Sequence, residues 1–278
     1  MPVAALQERA FLYHRRHNCV PAYAATRTGC PENRQHPIPA ACVVAIMNRP
    51  RHWIDPPDLK AATIAQREIA RAAEHRDRFG PVSVVAGVDT SMKWRDTRGP
   101  IHAAVAPLPW PLADPFAAHT ISVVPPIPYV PGYLGFRECP ALLQVLDGIA
   151  RRPDLVLVDG HGIAHPRRCG IATHLGVVAD VPSIGCAKTI LCGKVEGELG
   201  PDPGDRAPLV DRGEVVAMAL RTRPRANPIF VSTGHRISLE TAVEWVLKLT
   251  DGRRLPLPTR LAHEAANAAR RAYSDGAS

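Results

Sequence analysis

The sequence predicts an α/β fold, a mixed central sheet flanked by helices, on three observations. Leu155-Val156-Leu157-Val158 is a fully apolar run of strand length that stops at Asp159-Gly160, the pattern of a strand buried on both faces. Downstream of it, short apolar runs alternate with stretches of helical periodicity, as in sheets whose parallel strands are joined by helices. Upstream, three apolar runs follow one another with short connections, which reads as an antiparallel meander.

Taken in order, residues 1–50 show scattered cysteines, prolines and histidines without sustained periodicity. They are expected to be an appended, poorly ordered segment in which Met47 is a candidate natural start, and residues 51–278 to form the folded domain. A helix should follow Pro56-Pro57-Asp58, because Ala62, Ala65, Ile69, Ala72 and Ala73 share one face while Arg67, Arg71 and Glu74 fall opposite. The run at 82–89 is a β-branched strand ending in Asp89, and strands at 101–105 and 117–124 complete the meander around a proline-rich turn at 110–115. Residues 125–136, PPIPYVPGYLGF, are expected to be an irregular loop carrying Tyr129, Tyr133 and Phe136. Pro140 suits the first turn of a helix reaching about residue 150, with Glu138 at its amino end.

After the central strand, a helix is predicted at 168–179 and a short strand at 183–187 leading to Lys188. Strands follow at 215–221 and 229–232. Ser238 should cap a helix in which Leu239, Ala242, Val243, Val246 and Leu247 keep helical spacing, ended by Gly252. A last helix, at 260–273, carries His263.

Composition narrows the class. Hydrophobic and charged contents of 46% and 22% are those of an ordinary globular protein. The sequence has no apolar run of about 18 residues and no apolar h-region near its start, so no membrane partner and a cytoplasmic location are expected. A net charge of +8 favours a polyanionic partner such as nucleic acid. The seven cysteines form no CxxC pair and read as reduced thiols. Cys19, Cys30 and Cys42, with His14, His17 and His36 nearby, match no standard zinc-ligand spacing.

Three carboxylates stand out: Asp89, Glu138 and Asp159. Acids at strand ends and a helix start converge when the strands are neighbours. Clustered carboxylates repel one another and persist chiefly around a hard cation such as Mg²⁺. An acidic pocket in a basic protein therefore points to metal-assisted phosphoryl chemistry.

The element order resembles that of ribonuclease H-like nucleases. The motifs VAGVDTSM, PYVPGYLGFRE, LVLVDGHGIAHPRRCGIATHLG, DVPSIGCAKTILCGK, TGHRISLETAV and LPLPTRLAH, spread over about residues 55 to 270, together resemble the endonuclease V family. The resemblance implies a ribonuclease H-like fold and Mg²⁺ as cofactor, with Mn²⁺ able to substitute. It also implies DNA repair, by nicking the second phosphodiester bond 3′ to deoxyinosine, a deaminated adenine.

By the same resemblance Asp89, Glu138 and Asp159 are metal carboxylates, and His263 falls where relatives carry a histidine or aspartate. Lys188 matches the active-site lysine and His165 an auxiliary histidine. Tyr129, between Pro128 and Pro131, matches a wedge that enters the stack vacated by the lesion. Gly132, Leu134 and Gly160 match positions lining the base pocket, and Arg137, Arg167 and Arg168 lie beside these motifs as phosphate contacts. On their own, these tyrosine, lysine and arginine positions would read as packed or solvated side chains. Two alternatives stay open: an inosine-specific endoribonuclease of the same fold, and a catalytically silent nucleic-acid binding protein. A monomer is expected.

Overall fold

The computed structural model describes residues 50–94 and 96–276. The expected appended segment, including Met47 and the amino-terminal cysteines and histidines, lies outside the described residues but for Pro50. A short 3-10 turn, Arg51–Trp53, leads to α1 (Leu59–Ala72). Asp58 caps α1, accepting from the Ala61 N–H at 2.7 Å. Ala62, Ala65 and Ile69 are buried, as their spacing predicts.

The meander is β1 (Val84–Met92), β2 (Ile101–Pro109) and β3 (His119–Val123). Then come α2 (Leu134–Asp147), β4 (Leu155–Val158), α3 (Ile171–Ala179) and β5 (Ser183–Ala187). The chain continues through β6 (Lys194–Val195), β7 (Arg206–Asp211), β8 (Glu214–Leu220) and β9 (Ile229–His235), and closes with α4 (Leu239–Lys248) and α5 (Leu257–Gly276). All nine strands belong to one sheet, ordered β3-β2-β1-β4-β5-β9-β8-β7-β6. β1, β4 and β5 run parallel at its centre, and antiparallel strands extend it on both sides. The expected mixed sheet flanked by helices is what the chain forms.

Alternation along the central strands divides the core between two faces. Ala86 and Val88 of β1 and Val156 and Val158 of β4 pack with α1, α2 and α3. Val85, Leu155, Leu157 and Ile184 pack with α4 and the start of α5. Complete burial of such a side chain is worth roughly 1.5–3 kcal/mol.

Several boundaries differ from the sequence reading. β1 does not stop at Asp89 but pairs with β2 as far as Met92. α2 begins at Leu134, six residues before Pro140, so Leu134 to Phe136 are helical and Pro140 lies inside the helix. Glu138 is therefore in the second turn, not at the amino end. α3 starts at Ile171, after a turn in which Arg168 holds a φ of 56°. β6 is only two residues long, and Pro208 within β7 argues against a strand. Pro208 is tolerated because its carbonyl accepts from Glu196 N–H at 2.9 Å, toward the short edge strand where a missing N–H costs least.

Candidate active site

Strand register places the two strand-end acids side by side. The last parallel pair between β1 and β4 is Val88 with Val158, so Asp89 and Asp159 are the next residue on each strand. The Asp159 N–H still reaches the Val88 carbonyl at 3.3 Å. Asp89, Asp159 and His263 each offer one ligand atom, and these atoms lie within 4.8 Å of one another.

The third member comes from α5. Gly87 in β1 makes this possible, because a Cβ there would fall 1.9 Å from the Pro258 carbonyl oxygen at the helix start. With no side chain at Gly87, α5 lies against β1 and His263 Nδ1–H donates to Asp89 Oδ2 at 2.7 Å. His263 Nε2 accepts from Asn267 Nδ2 at 3.0 Å, Asn267 Oδ1 accepts from Ser91 Oγ at 2.8 Å, and Ser91 Oγ accepts from Arg270 Nε at 3.0 Å. A guanidinium can only donate, so the direction of the whole chain is set from Arg270 inward. The imidazole is thereby held with its proton on Nδ1, toward the carboxylate.

Glu138 is almost fully buried and hydrogen-bonded to the Thr90 side chain. Burial pushes its carboxyl up to about 7; the charges of Asp89 and Asp159 add to this, while Thr90 and Arg137 oppose it. Asp89 is pushed up to about 6, first by burial and then by the charge of Asp159, against hydrogen bonds from His263 and the Thr90 N–H. Lys188, just past the end of β5, donates to Asp159 Oδ2 at 2.5 Å from the solvent side. Its own carbonyl accepts from Arg254 Nη2 at 2.8 Å, which fixes the backbone under it. Asp89, which resists ionisation, Asp159 beside an ammonium and the adjacent imidazole form the donor cluster, and Glu138 stands outside that group yet near enough to feel both carboxylate charges; such a set suits a hard divalent cation.

The remaining sequence-predicted residues surround a second feature. Gly132, with a φ of 80° open mainly to glycine, turns its carbonyl toward three donors. Gln66 Nε2 reaches it at 2.9 Å, Arg167 Nη2 at 2.6 Å and His165 Nε2 at 3.2 Å. His165 is buried and its Nδ1 accepts from the Arg167 N–H at 3.1 Å, so both ring nitrogens are engaged. Burial pushes this imidazole down to about 4, helped by Arg167, and it sits as a neutral brace for the loop. Arg167 also donates to Gln66 Oε1 and lies 4.4 Å from the Tyr133 ring centroid. Leu134 opens α2 beside this loop, Tyr129 stands half-exposed on it, and the Cβ position of Gly160 is filled by Ile171.

Arg137 is a correction. Expected on a phosphate, it is 1% exposed, and its guanidinium donates to the carbonyls of Thr97, Ile127 and Gly99. Arg168, at the surface, is taken up by ion pairs within the protein, with Asp211 and Glu214 at 2.8 Å each. Thr90, Asn267 and Gln66 were missed by the sequence reading. Asn267 was within reach of it, four residues after His263 and so on the same helical face.

Comparison with known proteins agrees with this arrangement. The family model for Endonuclease V matches residues 66–264. An endonuclease V of Rhodospirillum centenum is 53% identical over 225 residues, covering 81% of this chain and 94% of that protein. One from Protochlamydia amoebophila is 41% identical over 224 residues, covering 81% and 95%. Among solved structures, Streptomyces avermitilis endonuclease V superposes with a TM-score of 0.74 at 36% identity, covering 82% of this chain and 98% of that one. Ciona intestinalis endonuclease V, in complex with a 23mer DNA containing an inosine followed by a ribo-adenosine, superposes at 0.68 with 28% identity, covering 77% and 98%. With its ribonuclease H-like sheet, its acidic cluster and these relatives, the chain belongs to the endonuclease V family of nucleases.

Proposed function

We propose that this protein is a metal-dependent DNA repair endonuclease that recognises deoxyinosine and nicks the second phosphodiester bond 3′ to it. The observation that carries the reading is the Asp89, Asp159 and His263 cluster, with Lys188 at its rim, in a chain of this family. The Ciona relative bound to inosine-containing DNA supports the choice of lesion. Asp89, Asp159 and Glu138 would hold Mg²⁺, or Mn²⁺ in its place, with His263 beside them. The bound cation would polarise the phosphate and lower the pKa of a bound water. Lys188, released from Asp159, would neutralise charge on the scissile phosphate. His165 and Arg167 would hold the Gly132 carbonyl and so fix the loop that presents Tyr129 to the stack. Gly132, Leu134 and Gly160 would line the pocket for the extruded base.

The same reading takes residues 51–278 as one catalytic domain acting as a cytoplasmic monomer. No helix among the described residues is long and apolar enough to cross a membrane. Inosine in RNA is the second reading, because the strand bound by the Ciona relative carries a ribonucleotide next to its inosine.

The test is denaturing-gel cleavage of end-labelled strands carrying one deoxyinosine, one riboinosine or neither, in Mg²⁺ and in EDTA. A single Mg²⁺-dependent nick beyond the deoxyinosine is expected, lost in Asp159→Ala while binding persists. Cutting of the riboinosine strand alone would move the protein to RNA. Binding without any cutting would make it a silent reader.

A further inference from the structure

Trp94 is the most exposed large apolar side chain among the described residues, at 85%. It lies two residues beyond the end of β1, on the sheet edge that carries Asp89 and Asp159. The connection it occupies reads Lys93-Trp94-Arg95-Asp96-Thr97-Arg98-Gly99, three bases and one acid. Asp96 Oδ1 is committed to the N–H groups of Arg98 at 3.2 Å and Gly99 at 2.6 Å. Lys93 and Arg98 are exposed. An aromatic face flanked by outward cations is the recurring element of single-strand binding surfaces.

The far end of the connection, at Thr97 and Gly99, is tied to the neighbouring loop. The Tyr129 N–H donates to the Thr97 carbonyl at 2.9 Å. Buried Arg137 adds bonds to Thr97 and Ile127 at 2.9 Å each and to Gly99 at 3.1 Å. One guanidinium thus ties the Trp94 segment to the loop bearing Tyr129, so the two exposed aromatics belong to one braced edge beside the acidic cluster. An indole left in water forgoes the free energy of burial and keeps its face open to a flat partner.

We infer that Trp94 is a second stacking platform, for an unpaired base of the bound strand, with Lys93 and Arg98 on the neighbouring phosphates. The partner is single-stranded or locally opened nucleic acid, since bases in an intact duplex present no free face. The inference rests on the functional reading above for its choice of nucleic acid, but it does not depend on the lesion.

The experiment is anisotropy titration, in EDTA, of labelled single-stranded oligonucleotides with and without one deoxyinosine, using the full chain. Tryptophan emission is recorded alongside. W94A should weaken binding about tenfold on both strands and W94F by less than about threefold, from the ordinary worth of base stacking on an aromatic ring. The slope of log Kd against log salt should be unchanged in W94A and shallower in a Lys93→Ala, Arg98→Ala double variant. Trp53 and Trp245 are buried and Trp110 is packed beside Trp245. Quenching of emission on binding should therefore belong to Trp94 and vanish in W94F. Both variants should keep the wild-type unfolding temperature, because the side chain packs on little.

Binding by W94A within about twofold of wild type, or equal losses in W94A and W94F, would overturn the platform. Nicking by the same preparations separates the two ideas. Binding through Trp94 without nicking would sink the functional reading and leave the platform standing. Nicking with Trp94 inert would do the reverse.

Discussion

At the scale of single residues, His263 is oriented by a relay that begins outside the acidic cluster. Removing Asn267 takes away the donor on Nε2 and frees the imidazole to change tautomer or turn from Asp89. N267A should lower Mn²⁺ or Mg²⁺ affinity about tenfold, measured by titration calorimetry, the usual cost of losing the hydrogen-bonded support of a metal carboxylate, here the imidazole that orients Asp89. Unchanged affinity would mean that the imidazole does not orient Asp89 for the metal. The sequence showed the acids, Lys188 and His263 because each ends an apolar run or stands in a recognisable motif. It did not show the relay, since asparagine and serine on a helix and a strand read as solvated until the two elements are packed. Nor did it show that Arg137 is buried, because an arginine beside an acid in a basic protein looks like a phosphate contact.

At the scale of elements, the site depends on how closely α5 lies against β1. G87A would drive a methyl group into the Pro258 carbonyl, backbone against backbone, with no side chain able to yield. A loss of about 3 kcal/mol is expected, seen as a lower urea midpoint, together with loss of nicking as His263 is carried away from Asp89. Gly80, with open space around its Cβ position, is the control: G80A should change neither. Buried strands and amphipathic helices were legible because their periodicity is set by the core they face. The start of α2 was not, since proline favours the first turn of helices and Pro140 drew the boundary toward itself. Tyr133 and Phe136 instead extend the apolar packing around α1 and α3 one and a half turns earlier.

For the molecule as a whole, acid stability is a balance of opposed groups. Burial pushes His161, His165 and His174 each down to about 4, and His75 and His102 in the same direction. Unfolded imidazoles bind protons below about 6.5 and the folded ones do not, so this group loses stability as pH falls from about 6.5 to 4. Asp89 and Glu138 oppose it, because raised to about 6 and about 7 they take up protons while folded. Near pH 5 the three deepest histidines outweigh the two acids by roughly one proton, so unfolding free energy should fall by roughly 1–1.5 kcal/mol per pH step. Urea unfolding at pH 7, 6 and 5 in EDTA checks this, and a flat profile would mean that the imidazoles carry charge inside the fold.

His263 meets Asp89 across 174 positions of sequence. A polypeptide made from its amino end carries Asp89, Glu138, Asp159 and Lys188 well before the helix that brings the imidazole. Each newly synthesised molecule therefore acquires its acids before its histidine, and a translation product cut short before residue 257 has every carboxylate of the cluster and no means of completing it.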